Sequence, residues 1–362
     1  MEKGNRQILK MGNGIGFRGE IIMEKVAIIG AGVMGSALAI HLGNNDVRVN
    51  LWGTQWDTKA LDNMKENKRH DGFDIALPDN VDLYYSDQLK EAVEDTSLVI
   101  VAVLSSGMEA MIKDMAPYLR GDHYILSITK GIDGEKLRTM SEVIEGSLPD
   151  GLRDRISIIK LGGPIIAKEL ASGRYVEGVL ASKDIKAAEY ARTLFRSPQF
   201  KVDVSRDIMG VDLCAAFKNV YAIGVGIAES LDEGSNNMKA ALMARGTIEM
   251  GRIVAAYGGD ENTASGIAGV GDYYVTSQGG RNGMFGKHLG QGKSVEKALE
   301  DMNGLAVEGY AAASNGYNLL KDLGERGKID IEEDVPLFQE LYNVLYNEKA
   351  ADEAIDSYWI SE

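Results

Sequence analysis

Val26-Ala27-Ile28-Ile29-Gly30-Ala31-Gly32-Val33-Met34-Gly35 passes from a short β-branched segment through three glycines and into the helix-forming stretch Met34 to Leu42. When a strand ends in Gly-x-Gly-x-x-Gly and the chain reopens as a helix, each glycine has a separate task. The first makes the turn, the second lets a pyrophosphate approach the backbone, and the third packs helix on strand. Free amides at the helix start then face the phosphates. A bare glycine-rich turn, the plainer alternative, requires neither the strand before nor the helix after. Gly30, Gly32, Val33, Met34 and Gly35 are therefore candidate dinucleotide contacts.

From Lys25 to about Ser205 short apolar runs alternate with amphipathic segments. The candidate strands are Lys25 to Gly30, Val47 to Trp52, Leu98 to Val103, Tyr124 to Thr129, Ile156 to Leu161, Val176 to Ser182 and Phe200 to Val204. Several are apolar on both faces, as strands covered by helices on each side must be. After Ser205 the period is helical: Val211 to Leu231, Met238 to Tyr257, Val295 to Met302, Tyr310 to Leu323 and Pro336 to Tyr346. The expected architecture is α/β, an N-terminal doubly wound, Rossmann-type domain over residues 23–206 followed by an all-α domain over 207–362. Residues 1–22, glycine-rich and without sustained period, read as a disordered extension. A boundary near residue 206 puts an active site between the domains, at the carboxyl ends of the strands.

Composition narrows the function classes. The 362 residues carry 39 Lys plus Arg against 54 Asp plus Glu, a net charge of −15. Such a balance argues against a general nucleic-acid or acidic-membrane surface, since both need clustered positive charge. No apolar run approaches the roughly 18 to 20 residues that cross a bilayer. One cysteine, Cys214, excludes an intrachain disulfide, and His41, His70, His123 and His288 lack metal-ligand spacing. The expectation is a soluble, cytoplasmic protein with no metal.

An adenosine ribose is normally held by an acid about 20 residues past the glycine turn, at the end of the second strand. Here that place reads Trp52-Gly53-Thr54, with no carboxylate before Asp57. Trp52 and Thr54 become candidate contacts, and Thr54 can donate to a ribose hydroxyl or a 2′-phosphate. NAD and NADP both stay open.

Lys218 lies in Leu213-Cys214-Ala215-Ala216-Phe217-Lys218-Asn219-Val220-Tyr221-Ala222-Ile223-Gly224, a helix apolar nearly all round. A lysine there is either desolvated, which lowers its pKa toward neutrality and suits proton transfer, or it snorkels to the edge. Gly269 to Gly283 concentrates polar groups between glycines. Arg281 has a planar fork suited to a phosphate dianion, Asn282 and nearby amides complete a cradle, and Asp272 can pair with a lysine; a solvated surface loop is the alternative. Thr129-Lys130-Gly131 and Gly162-Gly163-Pro164 both follow strands at the ligand-binding edge. Gly286 and Gly292-Lys293-Ser294 only approximate a P-loop, with one residue too many between the glycines and no strand leading in.

Taken in order, these pieces resemble the NAD(P)-dependent sn-glycerol-3-phosphate dehydrogenase family. The shared set is Gly30 to Gly35, Thr129-Lys130-Gly131, Gly163-Pro164 with Ala167 and Glu169, Phe217-Lys218-Asn219-Val220, Arg245-Gly246 with Glu249, Gly271-Asp272 with Thr276, Arg281-Asn282 and Val307-Glu308-Gly309. The resemblance implies interconversion of dihydroxyacetone phosphate and sn-glycerol 3-phosphate with NAD or NADP, for glycerophospholipid synthesis, by a homodimer. It makes Lys218 the general acid, with Lys130 and Asp272 orienting it. Asn219 and Thr276 would bond substrate, and Arg281 and Asn282 would hold its phosphate. Lys130, Ala167, Arg281 and Glu308 would also lie along the cofactor. Ile165 and Gly53-Thr54 depart from the residues common at those places in the family. The alternative is a related dehydrogenase of another small hydroxy acid or phosphorylated polyol, which would not need Arg281-Asn282.

Overall fold

The computed structural model describes residues 24–70, 72–231 and 235–360. The extension expected at residues 1–22 lies outside the described residues. Ten strands are described: β1 (Lys25–Ile29), β2 (Arg48–Trp52), β3 (Arg69–His70), β4 (Ile75–Ala76), β5 (Val81–Tyr84), β6 (Leu98–Val101), β7 (Tyr124–Ser127), β8 (Ser157–Gly162), β9 (Val176–Ala181) and β10 (Phe200–Ser205). Eight of them form one sheet in the order β5-β2-β1-β6-β7-β8-β9-β10, and β3 pairs with β4 as a small antiparallel ribbon.

The sheet is parallel from β5 through β8, as buried strands such as Leu98-Val99-Ile100-Val101 require. At β9 the direction reverses, Leu161 facing Leu180 in antiparallel register, and β10 then runs parallel to β9. The link from β8 to β9 explains the reversal. It holds only the short helix Ala167–Ala171, which rises about 8 Å, too little to return the chain along a strand of about 20 Å.

β5 was not among the strands expected from sequence. It is an edge strand, and Val81-Asp82-Leu83-Tyr84 buries only its first residue fully.

Beyond β10 the described elements are helical. The helix Ile208–Ala228 buries every residue except Met209, and Asp207 caps its start by accepting Gly210 N–H at 2.9 Å. Around it pack Asn236–Tyr257, Arg281–Gly290, Glu308–Glu325 and Pro336–Tyr346. Close approach replaces side-chain packing on one side. A Cβ at Gly226 would run into the Gly283 carbonyl, and one at Gly286 into that of Ile223. Val179 and Ala181 of the sheet meet Ile208, Val211 and Ala268 in a small apolar cluster, so the central helix is seated directly on β9.

Candidate active site

Three elements bring their charges together at the carboxyl edge of the sheet. Lys130 follows β7 in a turn that Gly131 completes at φ +138°. Lys218 projects from the middle of Ile208–Ala228. Asp272 opens the helix Asp272–Ser277, so the segment read from sequence as polar groups between glycines is largely helical, preceded by a π turn over Ile267–Gly271.

Lys218 Nζ stands 3.0 Å from Asp272 Oδ1, and Lys130 Nζ stands 3.0 Å from Asp272 Oδ2. Lys218 also donates to Thr276 Oγ1, whose own proton goes to the Asp272 carbonyl at 2.7 Å. Lys218 and Asp272 are buried, while 29% of the Lys130 side chain reaches solvent. The snorkelling alternative for Lys218 is therefore set aside.

Burial pushes the Lys218 ammonium down to about 8; Asp272 resists that shift and the neighbouring Lys130 charge adds to it. For Lys130, burial works against the charge, but Asp272 and then Glu308 outweigh it and hold the amine above the ordinary lysine range. Burial likewise disfavours the Asp272 carboxylate, yet the two ammoniums keep it below the ordinary range. A lysine poised near neutrality beside a permanently charged one is suited to protonating an oxygen on which negative charge builds.

Arg281 is the first residue of the helix Arg281–Gly290 and pairs with Glu308 at 2.8 Å, both side chains partly exposed. Since Glu308 also favours the Lys130 charge, the ionic groups form an alternating series: Lys218, Asp272, Lys130, Glu308, Arg281. Asn219 and Asn282 bond to each other. Asn282 Nδ2 donates to Asn219 Oδ1 at 3.0 Å, and Asn282 Oδ1 accepts Gly309 N–H at 2.9 Å. Asn219 Nδ2 donates to the Ala215 carbonyl at 3.3 Å. Both side chains are buried and tie three helices together. What Asn282 offers an anion is its main-chain amide, in the first turn of a helix where such amides lack intrahelical partners.

The glycine turn fits a dinucleotide. Gly30 has φ +119° and a Cβ there would press on the Ala102 carbonyl at 2.6 Å, while one at Gly35 would collide with the Gly30 carbonyl. At Gly32 a Cβ would meet nothing within 4 Å. Gly32 is thus open where Gly30 and Gly35 are closed, as a backbone approached by a pyrophosphate should be. The helix Val33–Asn44 begins there with no side-chain cap and no acid in its first turn, leaving its amides to a ligand. Val33 is exposed, and Met34 and Ala167 pack into one apolar cluster beside the turn.

Trp52 reaches this turn only by its main chain, its carbonyl accepting Gly30 N–H at 2.8 Å. Its side chain is buried in the apolar cluster that also holds Ile29, Ala92 and Val93. Thr54 donates both its amide and its hydroxyl to Asp57 Oδ2 at 2.8 Å, so that hydroxyl proton is already committed.

Sequence reasoning passed over one buried ion pair. Lys160 of β8 and Asp212 of the central helix stand 2.8 Å apart, 0% and 1% exposed. A charge inside each of two otherwise apolar runs, Ile158-Ile159-Lys160-Leu161 and Val211-Asp212-Leu213, was the available signal.

Comparison with known proteins agrees with this geometry. Residues 25–188 match the model for the NAD-dependent glycerol-3-phosphate dehydrogenase N-terminus, and 207–356 match that for its C-terminus. An NADP(+)-dependent glycerol-3-phosphate dehydrogenase of Archaeoglobus fulgidus is 33% identical over 340 residues, covering 91% of this chain and 97% of its own. A glycerol-3-phosphate dehydrogenase [NAD(P)+] of Bacillus cytotoxicus is 36% identical over 340 residues, covering 92% and 95%. The crystal structure of glycerol-3-phosphate dehydrogenase from Coxiella burnetii superposes with a TM-score of 0.81 at 28% identity, covering 94% of this chain and 99% of that one. With a dinucleotide turn, a buried lysine sharing one carboxylate with a second lysine, and both halves matched, the chain belongs to the NAD-dependent glycerol-3-phosphate dehydrogenase family.

Proposed function

We propose that the protein reduces dihydroxyacetone phosphate to sn-glycerol 3-phosphate, and runs the reverse reaction, with Lys218 as the proton donor and acceptor. The observation that carries this reading is Lys218 buried at the carboxyl edge, poised at about 8 and sharing Asp272 with Lys130. NADH or NADPH, when bound, supplies the hydride that ends on carbon 2. As that carbon becomes tetrahedral its oxygen gains charge, and the Lys218 ammonium gives it a proton, leaving a neutral amine. Burial and the adjacent Lys130 ammonium both make the neutral amine tolerable, and the charged form returns from solvent.

Gly30 to Gly35 would hold the pyrophosphate on the amides of Val33 and Met34. Arg281 and the first-turn amides of its helix would take the substrate phosphate, with Arg281 exchanging Glu308 for the anion. Glu308 would then face Lys130 and the cofactor, and Thr276 Oγ1, whose proton goes to the Asp272 carbonyl, would accept a substrate hydroxyl proton beside Lys218. Phosphate binding is remote from carbon 2, so it positions the carbonyl as well as raising affinity. The same reading divides the chain at 206/207 into cofactor and substrate halves and has it act as a cytoplasmic homodimer.

The test is absorbance loss at the nicotinamide band with dihydroxyacetone phosphate, run with NADH and with NADPH. Unphosphorylated dihydroxyacetone is the comparison. Equal turnover of the two ketones would refute the phosphate assignment.

A further inference from the structure

The Lys160–Asp212 pair takes no part in the chemistry described above, yet it touches both of the segments that carry the active-site lysines. Besides Asp212 Oδ1 at 2.8 Å, Lys160 donates to the carbonyl of Thr129, the residue before Lys130. Asp212 lies on the Lys218 helix, six residues earlier, about 9 Å along its axis. Its second oxygen accepts Ser141 N–H at 2.9 Å, at the start of the helix Met140–Ser147. One salt bridge therefore gathers β8, the turn after β7, the central helix and a fourth segment.

Stability alone does not account for such a pair. Two charges in a fully buried place lose their hydration, and apolar side chains of similar size would often serve the fold as well or better. Geometry supplies another reason. The β7 ladder ends at Ser127, so the Thr129 carbonyl lies beyond the last strand pairing. The Thr129 hydroxyl donates to Val103 O at 2.7 Å, in the neighbouring segment just past β6. On the far side of Lys130, Asn315 Nδ2 donates to Ile132 O at 2.9 Å. Lys130 is thus tied down on both sides, and the tie through Lys160 is the one that leads to the Lys218 helix by an ion pair.

We propose that Lys160 and Asp212 are positioning residues that hold the Lys130 turn against the helix bearing Lys218, and so set how the two ammoniums share Asp272. The proposal rests on the reading of Lys218 as the proton donor. The charged groups facing Lys218 are Asp272 and Lys130, and Glu308 faces Lys130 in turn. If the tie is cut, Lys130 is released from its place beside Asp272. Its charge then depresses Lys218 less, and the alkaline midpoint of turnover moves upward.

The experiment is the double variant K160M/D212N, which removes both charges but keeps an acceptor for Ser141. Circular dichroism and melting report folding, and fluorescence titration reports NADH binding. Steady-state rates with dihydroxyacetone phosphate are measured across pH. The expected result is a folded enzyme with NADH affinity and KM within a few-fold of wild type, kcat lower by about ten- to a hundredfold, and a displaced pH midpoint. A folded double variant with wild-type kcat and midpoint overturns the proposal. If the double variant does not fold, D212N alone, which weakens the tie and keeps the Ser141 bond, is judged by the same two readouts. K218A is run in parallel. Should it remain active, the proton-donor reading itself falls, an outcome separate from that of the tie.

Discussion

Lys218 and Lys130 approach the same carboxylate from opposite oxygens, each at 3.0 Å, so the charge of Asp272 is divided between an amine pushed down to about 8 and one held above the ordinary lysine range. A single acid between two bases keeps Lys130 charged while leaving Lys218 near neutrality.

The pH dependence of ketone reduction follows from that division. Reduction needs the Lys218 ammonium, so kcat is expected to fall as pH rises through about 8. Asp272→Asn removes the charge that resists the downward shift, so the midpoint moves to lower pH. Lys218→Ala lowers turnover by about a hundred- to ten-thousandfold with NADH binding nearly intact. A midpoint unmoved in D272N would show that the carboxylate does not set the lysine.

Arg281 is expected to act on the phosphate alone. Arg281→Ala lowers kcat/KM for dihydroxyacetone phosphate by about a hundredfold or more, in kcat as well as KM, because remote binding positions the carbonyl. The slow rate with dihydroxyacetone stays the same. Equal losses on the two ketones would place Arg281 elsewhere.

The three glycines of the turn are expected to separate binding from folding. Gly35→Ala would collide with the Gly30 carbonyl and lower the melting temperature, whereas Gly32→Ala meets open space and leaves it unchanged. The Gly32 methyl instead stands in the path of the pyrophosphate, weakening NADH binding about tenfold or more. Calorimetric binding and melting of both variants decide the matter.

Glu249 gives the helical half its own pH dependence. Burial pushes its carboxyl up to about 7, against the bonds it accepts from Leu337 N and Phe338 N at 2.8 and 2.9 Å and from Tyr221 OH at 2.9 Å. With a folded pKa above the unfolded one near 4.5, the native state binds the extra proton between these values. Stability therefore falls as pH rises from about 4.5 through 7, by roughly 3 kcal/mol in all. Glu249→Gln loses that slope, at a constant cost of about 1–3 kcal/mol for an amide hydrogen left unpaired at Phe338. Parallel melting curves for variant and wild type from pH 5 to 8 would count against this assignment.

Much of the fold is readable along the chain because its two halves carry different periods. Leu98-Val99-Ile100-Val101 reads as a buried strand and Ala215 to Gly224 as a buried helix. β5 escaped notice because an edge strand buries little, and the reversal at β9 because direction depends on the length of the connection. Within the site, Lys218, Lys130 and Asp272 stood out as charges beside glycines or apolar runs. The inward turn of Trp52 and the mutual bond of Asn219 and Asn282 depend on side-chain direction, which residue type does not reveal. Lys160 and Asp212 are distant in the chain, and only the seating of the central helix on the sheet makes them a pair.

The glycine contact between Ile208–Ala228 and Arg281–Gly290 works as a caliper. Main chain rests on main chain at Gly226 against Gly283 and at Gly286 against Ile223, so no rotamer can widen the gap between the rods that bear Lys218 and Arg281. Only the two side chains can adjust their reach. If Lys218 and Arg281 hold the two ends of the substrate as proposed, a ketone with its phosphate one carbon further away is expected to be gripped at one end and missed at the other, its length gauged by backbone instead of by a pocket wall.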